Sequence, residues 1–368
     1  MSISQRFGTR GPLAPSLGLL VIAAFWTAAP AAGQAVEGRM VEAGSGEAIP
    51  GASVMLLDAS GERVDFTLTG ADGAFRLAAP GPGTFRIGYE RIGYSGGESA
   101  PLELGPDEVA RHRLEVAVRP LALPTIEAVT ERRCAVRPAD GESASRIWEE
   151  TRKALEATAW TERSGAVEFT LRTWERRLDP RTLEVVEETD RIRERATRSS
   201  PWVADDPERL VREGFVRREG KAFVYFAPDA ATLLSDAFLD THCFRPVVPP
   251  EEAPGWVGLA FEPDGRADVP DVRGVLWVDR ESAELSLLVY DYVGLPRELR
   301  FEVAGGRVEF ERLPTGEWIV ERWRIRMPIV GVPGQRATLF GIPMDASRSR
   351  PRLIAVEEDG GEVLETRR

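Results

Sequence analysis

Two cysteines and two histidines occur in 368 residues, and only Lys153 and Lys221 among the 47 basic residues are lysines. So few thiols and imidazoles leave little from which to assemble a metal centre, and no cofactor or redox motif stands in the chain. Excess positive charge is missing too. The net charge is −12, and a surface of that sign repels phosphate, which argues against a nucleic-acid partner. After the first thirty residues no apolar run approaches the roughly 20 residues that span a bilayer. Asp264, Asp268, Asp271 and Asp279 are spread through the chain, but no D-x-D-x-D-G loop arranges them for calcium. What remains suffices to fold. Apolar residues make up 43% and charged residues 29%, a balance that buries cores, in a length that suits two or three domains.

Residues 1–33 have the pattern of an export signal. Arg6 and Arg10 supply a basic start, Leu17 to Ala29 a short apolar run ended by Pro30, and Ala31-Ala32-Gly33-Gln34-Ala35 a small-residue cleavage region. No cysteine stands there to carry a lipid anchor. The expectation is a mature chain in the periplasm or outside the cell, not membrane-spanning once the signal is removed. In that oxidising setting Cys134 and Cys243 are expected to form a disulfide. His242 beside Cys243 suggests a nucleophilic pair instead, but sequence neighbours seldom aim at each other and no orienting third group is visible.

From residue 36 to about 120 the apolar period is two. Ala52, Val54 and Leu56, then Val64, Phe66 and Leu68, then Phe85, Ile87 and Tyr89, then Leu114, Val116 and Val118 alternate with other residues. Pro50-Gly51, Asp72-Gly73, Pro80-Gly81-Pro82-Gly83 and Gly96-Gly97 punctuate them as turns. An antiparallel β-sandwich follows, with Ala52, Val54, Phe75 and Leu77 facing its core. Val36 to Glu42, Ala48 to Leu56, Thr69 to Leu77, Gly83 to Ile87 and Ile92-Gly-Tyr94 resemble the carboxypeptidase regulatory-like domain. The resemblance implies a prealbumin-like sandwich, found as an accessory module beside exported enzymes and ahead of outer-membrane transporters. It implies no peptidase activity, because that family's chemistry lies in another domain. A zinc site is still testable from the residues. His112 and Glu115 have H-x-x-E spacing with His242 as a distant third ligand. In the strand expected at 109–118, however, positions three apart face opposite ways.

Residues 121–142, with Pro124 and Pro138, read as a linker, and residues 143–368 as a second, antiparallel, β-rich domain. Ser143 is placed as the cap of a helix to about Ala157, with Ile147, Trp148, Thr151 and Leu155 on one side and Glu149 and Lys153 on the other. Strands are expected at 167–177, 183–193, 211–218, 222–226, 274–278, 285–292, 299–303, 308–312, 318–327, 338–342 and 353–356, with a short helix over 229–239. Gly360-Gly361 is expected to turn the chain. The preferred shape is a curved sheet wrapping the helix, a half-barrel similar in outline to lipoprotein carriers.

Arg322, Arg324 and Arg326 form a stripe on one face of the 318–327 strand. One reading is a cationic track for an acidic glycan, a lipid headgroup or a peptide carboxylate. The other, preferred, is cross-strand pairing with Glu309 and Glu311. Trp256, Trp277, Tyr290 and Tyr292 suit either a stacking platform or core filling, and core filling is preferred. The expectation is a mainly β, non-enzymatic binding or structural module of the cell envelope, without cofactor. The alternatives are a metallocarboxypeptidase-type hydrolase and an accessory component of an outer-membrane transport system.

Overall fold

A computed structural model describes residues 34–117, 123, 143–200, 202, 205–219, 222–265, 269–331, 338–339, 342–343 and 352–367. The expected signal, Cys134 and all of the expected linker except Leu123, which is buried in the large sheet's core, lie outside the described residues.

The first eight strands are β1 (Ala35–Glu42), β2 (Ser53–Leu57), β3 (Arg63–Leu68), β4 (Ala74–Ala78), β5 (Gly83–Arg91), β6 (Tyr94–Glu98), β7 (Leu102–Leu104) and β8 (Val109–Val116). They form two sheets, one in the order β4-β1-β8 and one in the order β3-β2-β5-β6 with β7 on β5. Alternating Val54, Leu56, Phe75, Leu77, Phe85, Ile87, Leu114 and Val116 fill the space between them, as the period of two requires. One pairing departs from the antiparallel expectation: β1 and β8 run parallel, Ala35 beside Val109 through Glu42 beside Val116. The long connection around the sandwich is what permits it.

Next come α1 (Ser143–Ser164), β9 (Glu168–Leu178), β10 (Val185–Ala196), α2 (Pro207–Glu213), β11 (Val216–Glu219), β12 (Ala222–Tyr225), α3 (Ala230–Leu234), α4 (Asp236–Leu239) and β13 (His242–Val247). The chain ends with β14 (Trp256–Pro263), β15 (Asp271–Asp279), β16 (Leu285–Val293), β17 (Gly305–Arg312), β18 (Trp318–Gly331), β19 (Thr338–Leu339), β20 (Ile342–Pro343) and β21 (Arg352–Arg367). Nine of these strands make one antiparallel sheet in the order β10-β9-β21-β18-β17-β16-β15-β14-β13. Helix α1 lies on one side of it and buries Ile147, Trp148, Thr151 and Leu155 against Leu259, Leu276, Leu288 and Val320.

Several local expectations are corrected. Helix α1 continues past Ala157 to Ser164, and Ser143 is its first residue rather than a flanking cap. Residues 211–218 do not form one strand. Asp206 caps α2 by accepting the Arg209 N–H at 3.0 Å, and Pro207 opens the helix with its preset φ. The expected 229–239 helix is split by Ser235, which ends α3 and caps α4. Residues 297–299 form a 3-10 turn where 299–303 was expected to be a strand.

Gly360 and Gly361 lie inside β21 and do not turn. A Cβ on Gly360 would meet the Trp174 indole, and one on Gly361 would come within 2.8 Å of the Trp323 Nε1. Neighbouring residues of a strand face opposite ways. The two glycines therefore make room for one tryptophan on each side of the sheet.

The sandwich and the large sheet share a seam. Leu68 belongs to the large sheet's core, and Phe66 and Ile92 pack on it. Gly51 and Gly316, both at positive φ, meet backbone to backbone, a contact no side chain would allow. Lys153 is buried, 2.7 Å from Glu150, and its ammonium donates to the Arg91 and Tyr94 carbonyls at 3.3 Å. The Gly93 N–H donates to Glu150 at 2.7 Å. Lys153, expected on the side of α1 away from the core, is thus buried instead, in a pair with Glu150 that grips the β5–β6 turn.

Candidate functional site

The ladders around β21 separate two chemistries onto the two sides of the sheet, because directly opposite residues of an antiparallel pair share a face. On the outer side, Trp174, Gly360 and Arg324 stand in one row. Arg172, Arg176, Arg307, Arg322 and Arg324 border a shallow basin of about 440 Å³ there, with Glu309, Glu358 and Glu362. Arg326 and Arg176 hold Glu358 at 2.7 and 3.3 Å, Arg324 stands at 3.6 Å, and Arg322 pairs with Glu362 at 2.8 Å. The arginine stripe is therefore cross-strand paired, but with β21 and not with Glu309 and Glu311. Glu309 sits opposite Arg322 in register and bonds Arg307 on its own strand at 2.7 Å. Burial pushes the Glu358 carboxyl up, and the guanidiniums of Arg326, Arg176 and Arg324 outweigh it and hold it low. Desolvation, with Arg326 close by, lowers Arg324.

On the helix side, a cleft of about 320 Å³ lies at the β10 end of the sheet. Its floor carries Thr173 and Glu175 from β9, Thr189, Arg191 and Arg193 from β10, Trp323, Ile325 and Met327 from β18, and Asp359 from β21. Trp202 and Tyr225 wall it. The Trp202 and Trp323 rings meet edge to face with centroids 4.9 Å apart, and Tyr225 meets Tyr292 at 5.2 Å. The Tyr292 hydroxyl in turn donates to the Phe226 carbonyl at 3.1 Å, which steadies that wall.

Three polar atoms bordering the cleft, Trp202 Nε1, the Tyr225 hydroxyl and Asp359 Oδ1, are buried without a hydrogen-bond partner among the described residues. Each such group costs roughly 1–3 kcal/mol when left unmade. Burial raises the Asp359 carboxyl to about 6, helped by Glu357 and Glu175, and burial pushes the Tyr225 phenol up to about 12. Both therefore hold their protons more readily than they would in water, and a protonated carboxyl and a phenol can each donate and accept. Aromatic walls with convergent donors and acceptors suit a ligand that has both an apolar face and hydrogen-bonding groups.

The four aromatics singled out in the sequence do not form one platform. Tyr290 and Tyr292 are buried in the helix-side core, ring centroids 5.6 Å apart. Trp256 and Trp277 pair at 6.3 Å on the outer side, since their neighbours Val257, Leu276 and Val278 face the core. His242 is buried, stacked on Phe238 at 3.7 Å, with Nδ1 3.0 Å from the Phe238 carbonyl and Nε2 3.3 Å from Asp271. Cys243, buried next to it on β13, points to the other face, so the two do not form a thiol–imidazole pair. His112 shares its face of β8 with Leu114 and Val116, whereas Glu115 is exposed on the other. Among the described residues no three histidine, cysteine, aspartate or glutamate side chains converge on a metal position, and none of the helices is long and apolar enough to cross a membrane.

Trp202, Tyr225 and Asp359 were not singled out by sequence reasoning. Trp202 stands outside any periodic segment, Tyr225 ends a four-residue strand, and Asp359 precedes a glycine pair that resembles a turn. Asp359 arrives because β21 inserts between β9 and β18, and Trp202 and Tyr225 because their rings pack on Trp323 and Tyr292, all long-range contacts with no local signature.

No curated protein sequence matches the chain. Solved structures show distant likeness. The pilus 2b backbone protein of group B streptococcus is 16% identical over 23% of this chain, which spans only 40% of that protein, with a TM-score of 0.21. A Bacteroides uniformis protein described as carbohydrate binding is 8% identical over 67% of this chain and 98% of its own, with a TM-score of 0.19. The major pilin subunit of Bacillus cereus is 8% identical over 78% of this chain and 92% of its own, with a TM-score of 0.21. Sequence gives the firmer assignment: residues 35–118, the span of β1 to β8, match the carboxypeptidase regulatory-like domain.

Proposed function

We propose that the protein is a non-enzymatic binding module of the cell envelope, in which a carboxypeptidase regulatory-like sandwich braces a larger sheet that holds a ligand. The reading places the mature chain in the periplasm or outside the cell, with a disulfide between Cys134 and Cys243 and with the domain boundaries given above. The observation that carries it is the helix-side cleft, where Trp202, Tyr225 and Asp359 present three unpartnered polar atoms beside aromatic walls. A ligand that satisfies them recovers the cost of leaving them unmade. The outer arginines contribute less to this reading because β21 carboxylates already engage them. Glycans, acylated amphiphiles and peptides are the ligand classes that combine an apolar face with hydrogen-bonding groups.

Isothermal titration of the full chain against a panel of neutral and acidic oligosaccharides, short-chain acyl amphiphiles and short peptides tests it. Binding by one class, weakened at least tenfold by Trp202→Ala and by Tyr225→Phe, supports the cleft. Binding that both variants leave intact, or none across the panel, removes it.

A further inference from the structure

The large sheet ends in two edge strands of unlike construction. Strand β13 has six residues and contains Pro246, which lacks an N–H, and Pro249 and Pro250 follow it. Prolines there disfavour extension of the ladder. Strand β10 has twelve residues with no proline or glycine and is exposed along nearly its whole length. Among the described residues no strand pairs with its outer side, which leaves its backbone an open template.

Charge along β10 is divided. Glu187, Glu188 and Asp190 occupy its first half, and Arg191, Arg193 and Arg195 its second, with Glu194 between the last two. Register irregularities after Val185 and after Arg193, the second containing Arg195 at φ 56°, bound a regular segment from 187 to 193. Pairing with β9 sets Glu187, Thr189, Arg191 and Arg193 on the cleft side, because Thr189 stands opposite Glu175 and Arg191 opposite Thr173.

We propose that β10 is a homodimerisation edge, two copies pairing antiparallel about a two-fold axis perpendicular to the sheet. Same-face register then sets Glu187 opposite the partner's Arg193 and Thr189 opposite the partner's Arg191, and symmetry makes each pair twice. Asp190 lies on the axis, where Arg172, 3.2 Å away in each copy, offsets the like charge. A parallel arrangement in register would set acid on acid and base on base. The charge order along β10 therefore favours β10 itself reversed over a copy in parallel register. Thr189, Arg191 and Arg193 also line the cleft, so the partner's Glu187 reaches its mouth and the two clefts adjoin. The pairing holds whatever the cleft binds.

Sedimentation equilibrium of the full chain tests it. The wild type is expected to dimerise with a dissociation constant in the micromolar range. Glu187→Arg and Arg193→Glu, exposed changes that leave the circular dichroism unaltered, each give monomers. Mixing the two single variants restores a dimer, because the Glu187→Arg chain then sets two arginines against the two glutamates of the Arg193→Glu chain. A wild type that stays monomeric to about 1 mM, or a dimer indifferent to both reversals, overturns the proposal.

Discussion

The Lys153 ammonium lies 2.7 Å from the Glu150 carboxylate, both side chains buried, and together they bond the Arg91 and Tyr94 carbonyls and the Gly93 N–H of the sandwich. Burial raises Glu150, and Lys153 is the main force holding it down. Lys153→Met leaves a buried carboxylate unpaired and is expected to destabilise the protein by about 3–5 kcal/mol. Lys153→Met with Glu150→Gln recovers most of that, because glutamine still accepts the Gly93 N–H. Urea unfolding of the four proteins in a double-mutant cycle measures the coupling, and additive effects would refute it.

Asp359 predicts a pH dependence. Its folded carboxyl sits near 6, above the ordinary 3.8, because burial disfavours its charge. The folded state then binds more protons than the unfolded state between about pH 4 and 6, so this group's contribution falls as pH rises through that window. Asp359→Asn is expected to stabilise the protein at pH 7 by up to about 3 kcal/mol and to do nothing near pH 3. Thermal melts at both pH values check it, and equal effects at both would count against it.

The paired glycines of β21 predict a local contrast. Gly360→Ala and Gly361→Ala drive a methyl into Trp174 and Trp323, and each is expected to cost about 1–3 kcal/mol. Gly255→Ala, with nothing within 4 Å, is the neutral control. Chemical denaturation of the three variants ranks them.

The outer arginine lattice is expected to depend on its acid more than on any one base. Glu358 is 3% exposed and has three arginines around it, so Glu358→Gln is expected to cost about 2–4 kcal/mol. Arg322, half exposed, is expected to cost less than about 1 kcal/mol when changed to alanine. Equal losses in urea melts would contradict the lattice.

The sandwich was legible because a period of two repeats between unmistakable turns, and the inner face of α1 because Ile147, Trp148, Thr151 and Leu155 recur at helical spacing. Pattern misled where one residue type serves two purposes. Gly360-Gly361 looks like a turn, yet the glycines are there for the bulk of Trp174 and Trp323, which distant strands bring to them. Asp206-Pro207 is a readable helix start, hidden because Val211 to Arg218 reads as one strand although Gly214 ends the helix within it. A bulge at Glu321 in the β17–β18 ladder switches the buried positions of β18 from Trp318 and Val320 to Trp323 and Ile325. No single strand period announces it. The cleft was illegible because its polar atoms come from three segments far apart in the chain.

Indole NMR of the full chain, titrated with whichever of the oligosaccharide, acyl or peptide probes binds, tests the central claim most directly. The cleft reading predicts shifts at the Nε1–H signals of Trp202 and Trp323, with Trp256 and Trp277 on the opposite side unmoved. Shifts confined to Trp256 and Trp277 would contradict it.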